Sequence, residues 1–209
     1  MATITISRQF GAGGRTLGEK LCERFGLQMV DEYAIDELAR KAKLSGEWLK
    51  AIEKEASSTI LGLISNIVSS GIFFRSGSAP DEEFEKQKYI AFLSRLMTSM
   101  ANQGGYVFLG RGSQLVLKGY PKVFHILLVG EYEDRLKFMM EHYKLSEDEA
   151  RKTIKEKERQ RAAVACNIFG FDIDNPNLYH ITLNTSLVPF EWAVDTVSEL
   201  FARFLKKFG

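Results

Sequence analysis

Ser7-Arg8-Gln9-Phe10-Gly11-Ala12-Gly13-Gly14-Arg15-Thr16 is the stretch of this chain best suited to chemistry. Glycines at this density let a backbone turn so that successive N–H groups point inward. Donors converging in front of a helix N-terminus make an anion site. The spacing therefore puts Gly11, Ala12, Gly13, Gly14, Arg15 and Thr16 around a phosphate group. Thr16 brings a hydroxyl to the first helical turn, where such a group meets a Mg²⁺ ion bridging phosphates. The strict pattern Gly-x-x-x-x-Gly-Lys-Ser/Thr is not met, because Gln9 stands for the opening glycine and Arg15 for the lysine. A tight strand-to-helix connection would use the same glycines.

Other polar residues sit where strands end. Arg111 lies between Gly110 and Gly112, just past an apolar run. In parallel α/β sheets ligands bind at the carboxyl ends of strands, and a guanidinium fork matches phosphate oxygens. A solvated loop arginine is the plainer alternative. Asp31 follows Gln28-Met29-Val30 and can cap the helix that starts near Tyr33. Arg8 follows the first strand directly. Arg159 and Arg161 belong to a run of bases at 151, 152, 155, 157, 159 and 161, interleaved with Glu156 and Glu158, which also suits a solvated helix. His125 is inside an apolar strand and reads as a core residue.

The elements that position these residues follow from periodicity. Thr3–Ser7, Gln28–Val30, Tyr106–Leu109, Phe124–Val129 and Ile181–Leu183 read as short strands. Leu17, Leu21, Cys22 and Phe25 recur at helical spacing before Gly26, which ends the helix. Tyr33 to Lys43 and Gly46 to Phe74 read as helical, and Arg75–Pro80 as a loop. Tyr89, Leu93, Leu96, Met97 and Met100 mark a further helix, which Gly104-Gly105 breaks. Ser146 and Glu149 form a capping box. Phe190, Ala193, Val194, Val197, Leu200, Phe201 and Phe204 form the last apolar stripe. Five strands alternating with helices predict an α/β fold, a three-layer arrangement with a parallel sheet covered on both faces.

Composition bounds the rest. The 209 residues suffice for one domain. With 28 basic and 27 acidic residues no field of one sign covers the molecule, which argues against nucleic acid or an anionic membrane as partner. Cys22 and Cys166 have no metal-ligand spacing and read as reduced thiols. The start of the chain runs straight into a strand without a leader pattern, so the expected location is cytoplasmic. Ile60 to Phe74 is too short and too interrupted by serine to span a membrane. It reads as a buried or subunit-facing helix, and the second option predicts a homodimer.

Ile6 to Arg15 resembles the opening of the cytidylate kinase-like family, a branch of the nucleoside-monophosphate kinases whose phosphate loop has lost its lysine. The resemblance continues in Val30-Asp31, Gly110-Arg111-Gly112-Ser113, Glu158-Arg159 and Asp172–Pro176, and it ends at Leu183-Asn184-Thr185-Ser186. It implies a P-loop kinase fold over residues 1–209, with a helical acceptor-binding excursion at about 46–92 and an arginine-bearing lid at about 146–176. It implies ATP and Mg²⁺ as cofactors, a small-molecule nucleotide as partner, and phosphoryl transfer to a nucleoside monophosphate, CMP being the leading expectation. On this resemblance Arg111 approaches substrate phosphate, Asp31 faces the acceptor nucleotide, and Arg159 and Arg161 close over the transferring group. Either Arg8 or Arg15 must then replace the lysine, and Arg15 is favoured because it flanks Thr16. Cytidylate kinases read Gly-Arg-Asp where this chain has Gly112. That loss and the missing lysine equally suit a nucleotide-binding regulator without kinase activity. A kinase with another small-molecule acceptor is the third reading.

Overall fold

The computed structural model describes residues 1–35, 82–163 and 172–208. The readings made for 36–81, for 164–171 and for Cys166 lie outside the described residues. They include most of the expected acceptor-binding excursion, Ile60–Phe74, and part of the expected lid.

Five strands form one sheet: β1 (Thr3–Arg8), β2 (Gln28–Val30), β3 (Tyr106–Leu109), β4 (Val123–Val129) and β5 (Ile181–Asn184). Their order is β2-β3-β1-β4-β5, and every adjacent pair is parallel. All five expected strands are present. β1 runs one residue beyond its expected end because Arg8 still pairs in register with Leu128. Six helices are described: α1 (Gly14–Phe25), α2 (Glu82–Gln103), α3 (Ser113–Val116), α4 (Tyr132–Tyr143), α5 (Glu147–Ala163) and α6 (Phe190–Phe208), with a 3₁₀ turn at Pro176–Leu178. Helix α4 is not among the helices expected from periodicity.

Alternation along the strands divides the interior in two. Ile4, Ile6, Val107, Leu109, Phe124, Ile126 and Leu128 meet Leu17 and Leu21 of α1 and Val194, Val197 and Phe201 of α6. On the other face Tyr106 and Phe108 meet Phe92, Leu93, Leu96, Met97 and Met100 of α2. The result is helix, sheet, helix, as the near-continuous apolar strands require. His125 lies in this interior, its Nδ1 2.7 Å from the Thr5 hydroxyl.

A third, smaller cluster joins α4 to α5 through Leu136, Met139, Ala150 and Ile154. Phe10 of the glycine-rich loop packs against it. The capping box is present: the Ser146 N–H donates to Glu149 at 2.9 Å, and Ser146 Oγ accepts from the Glu149 N–H at 3.4 Å. Because all strands are parallel, Arg8, Asp31, Gly110, Gly130 and Thr185 emerge along a single edge of the sheet.

Candidate functional site

The loop between β1 and α1 is held open from behind. Gly11 and Gly13 take φ of +92° and +83°, in the left-handed region that favours glycine. Gly13 is the N-cap of α1 and makes no side-chain cap bond. The first N–H to turn back belongs to Leu17, which donates to the Gly13 carbonyl at 3.0 Å. The donors of the first helical turn, from Gly14 to Thr16, therefore face outward without an intrahelical acceptor. Gln9, in place of the expected glycine, acts as a brace. Its N–H donates to the Leu128 carbonyl and its Oε1 accepts from the Gly130 N–H at 3.0 Å. Arg135 at the start of α4 donates to the carbonyls of Gly130 and Phe10, at 2.9 and 3.1 Å, and pairs with Glu158. Glu158 also accepts the Phe10 N–H.

Three spaces adjoin this loop. A cavity of about 490 Å³ lies over Gly11, Gly13, Gly14, Arg15 and Thr16 and reaches Glu32 and Lys157. A second, of about 410 Å³, opens between Thr16, Arg135, Phe138, Thr185, Ser186 and Phe190. A narrow cleft of about 40 Å³ is lined by Ser7, Arg8, Glu32, Arg111, Gly112, Lys157 and Arg161.

The expected site residues divide between these spaces. Gly11, Ala12, Gly13 and Thr16 line the second cavity, and Thr16 lines the first as well. Thr16 thus brings one hydroxyl beside the loop donors. Among the described residues no group of three His, Cys, Asp or Glu could hold a metal. Arg15 is half-exposed, and its guanidinium pairs with Asp31 and approaches Glu19. Asp31 also accepts from the Ala34 N–H at 2.9 Å, capping the helical turn at 32–35. Burial opposes the charge of Asp31, but the Ala34 N–H and Arg15 together hold its carboxyl below the ordinary aspartate value. Arg8 is partly buried, 3.0 Å from Glu32. Its side chain packs so closely that a Cβ on Gly14 would sit 2.7 Å from its Cγ.

Arg111 takes φ +54° and lines the narrow cleft. Arg161 reaches the same cleft from α5. It pairs with Asp174, lies 3.6 Å from Glu158 and 3.5 Å from Ser7 Oγ, and is only 12% exposed. Burial disfavours its charge, yet Asp174 and Glu158 keep its pKa above the ordinary arginine value. Arg159, 72% exposed, pairs with Glu156 on its own helix and lines none of these spaces. The structure therefore gathers Arg8, Arg111 and Arg161, and leaves Arg159 outside.

Sequence reasoning missed Arg135, Glu32, Lys157 and Phe138. For Arg135 and Phe138 a signal existed. Leu136, Met139 and Met140 recur at helical spacing after Glu133 and Asp134, an acidic first turn. Nothing in the sequence pattern brings Glu32 and Lys157 together, since their meeting depends on how α5 crosses the sheet edge.

A model of the cytidylate kinase-like family matches residues 3–187. No curated protein matches the chain by sequence. Among solved structures, an uncharacterized protein from Eubacterium ventriosum superposes with a TM-score of 0.65 at 16% identity, covering 96% of this chain and 98% of that one. A shikimate kinase from Acinetobacter baumannii, solved with shikimate, gives a TM-score of 0.46 at 14% identity, covering 97% and 94%. A sugar kinase from Janibacter gives 0.47 at 14% identity, covering 99% and 95%.

Proposed function

The chain belongs to the cytidylate kinase-like family, and from that membership we propose that it transfers the γ-phosphoryl group of ATP to a nucleoside monophosphate, CMP first among them. The observation that carries the reading is a pair of spaces, one fronted by helix donors and one by arginines, meeting at one place. The open N–H donors of α1 face one cavity, and Arg8, Arg111 and Arg161 surround the adjoining cleft. In this reading the loop donors hold the β- and γ-phosphates of ATP, and the cavity of Arg135, Phe138 and Thr185 takes its nucleoside. Mg²⁺, bound with the nucleotide and met by Thr16, would neutralise charge on the bridging phosphates. Arg111 and Arg161 hold the acceptor phosphate in line by their planar forks. The acceptor oxygen is already anionic at neutral pH, so no general base is needed. Asp31 acts here through Arg15 and the helical turn it caps.

Residues 1–209 act in this reading as one domain in the cytoplasm, with no nucleic acid partner. In this reading the protein pairs as a homodimer. No described helix is long and apolar enough to cross a membrane.

Arg111→Ala is the test of the acceptor site. It should raise KM for the nucleoside monophosphate by about tenfold or more, the loss of one bidentate charged contact, and leave KM for ATP within about twofold. Equal effects on both substrates would count against separate sites. Two other readings keep an observation each. Glu32, a carboxylate at the boundary of the two spaces, could take the proton of a hydroxyl acceptor, which favours a different small molecule. Arg15, held by Asp31, favours a nucleotide-binding regulator that lacks transfer activity.

A further inference from the structure

The cavity over the phosphate loop and the arginine-lined cleft share four residues: Arg8, Phe10, Glu32 and Lys157. A phosphoryl group passing from donor to acceptor crosses that boundary. The two cations there differ in freedom. Arg8 is 13% exposed and fixed, with a Cβ on Gly110 landing 2.4 Å from its Nη1. Lys157 is 41% exposed, its Nζ 3.9 Å from Glu32 Oε1, while the opposite oxygen, Oε2, is 3.0 Å from Arg8. Glu32 is thus an anion held between two cations at the crossing point. Arg15 lines only the loop cavity and is engaged by Asp31.

We propose that Lys157 is a further catalytic residue, whose ammonium contacts the γ-phosphoryl group and supplies from α5 the charge that a Gly-Lys-Ser/Thr loop supplies from its lysine, with Glu32 as the carboxylate that holds it until the phosphoryl group displaces it. The role rests on the phosphoryl-transfer reading. In the step, the bond from γ-phosphorus to the bridging oxygen breaks as the bond to the acceptor oxygen forms. The electron pair stays on the β-phosphate. Lys157 remains protonated and exchanges its Glu32 contact for phosphoryl oxygens. A flexible stem bearing three donors can follow the group through that change. Lys155, two residues earlier, points into a separate groove with Tyr132 and Arg151.

The test is calorimetric, with Mg²⁺, comparing ADP with the β,γ-imido analogue of ATP. Wild type should prefer the analogue. Lys157→Met keeps the aliphatic stem and should lose about tenfold or more of that preference, the weight of a charged contact. Its ADP affinity, staying within about twofold, shows that it is folded. Lys157→Arg should keep part of the preference, and Lys155→Met all of it. Glu32→Gln removes the competing carboxylate and should increase the preference, a change that a merely structural Glu32 would not produce. An unchanged preference in Lys157→Met overturns the proposal, as does an equal loss in Lys155→Met. Binding is read without turnover, so a wild type that forms no ADP with any acceptor, yet loses its preference in Lys157→Met, contradicts the transfer reading and leaves the γ-phosphate contact standing.

Discussion

Arg159 and Arg161 stand two positions apart on α5, and a turn of about 100° per residue sends them to different faces. Arg161 enters the cleft with Asp174 behind it, whereas Arg159 lies on the surface with Glu156. If Arg161 acts on phosphate in the transition state, Arg161→Ala should lower kcat by on the order of a hundredfold, about 3 kcal/mol, as for other preorganised donors. Arg159→Ala should change kcat by less than about threefold, since an exposed i,i+3 pair contributes little. Steady-state kinetics on both variants decides the matter, and the reverse order would show that α5 turns its other face inward. Gly13→Val should abolish nucleotide binding for two reasons. φ of +83° strains any β-branched residue, and a Cβ there would lie 2.5 Å from the Phe190 ring. Retained ATP affinity would refute the loop as the anion site. Residue types alone pointed to the loop glycines, Thr16 and Arg111 as candidates, and all of them line spaces at the strand ends. They did not give Arg15's engagement with Asp31, because both carboxylate and guanidinium look equally available in a linear string.

At the scale of elements the strands and the last helix were legible, since β-branched runs and the stripe from Phe190 to Phe204 bury one face each. Ser146 and Glu149 fixed the start of α5 in the same way. Helix α4 was harder to find, because its inward face is narrow: only Leu136 and Met139 are buried. His125 links β1 to β4, and its burial, with the nearby His180, pushes its pKa down to about 4. The unfolded chain titrates near the ordinary value of about 6.5. Between those values the unfolded state binds more protons, so stability should be full above pH ~6.5 and fall on acidification by on the order of 3 kcal/mol before levelling below pH ~4. Denaturant midpoints for wild type and His125→Gln across that window check this. A variant with the same pH slope as wild type would mean that other groups carry it.

Across the whole molecule, parallel pairing collects the ends of five strands on one edge, and the glycine loop, Asp31, Arg111 and Thr185 lie there for that reason alone. Near-neutral net charge, +1, leaves no field of one sign over the molecule as a whole. Nucleotide binding at such a site should stabilise the fold as a unit. At a concentration about a hundredfold above Kd, Mg-ATP should add roughly 2.7 kcal/mol and raise Tm by several degrees, and Gly13→Val should show no rise. Sequence pattern disclosed the edge, through the positions of loops after strands, but not the division into adjoining cavities, which the packing of α4 and α5 creates. Release of ADP from Mg-ATP, measured against each nucleoside monophosphate in turn, reads transfer between two nucleotides directly. ADP formation should depend on the monophosphate and be greatest with CMP. ADP formation that no monophosphate raises above the rate with ATP alone would contradict such transfer.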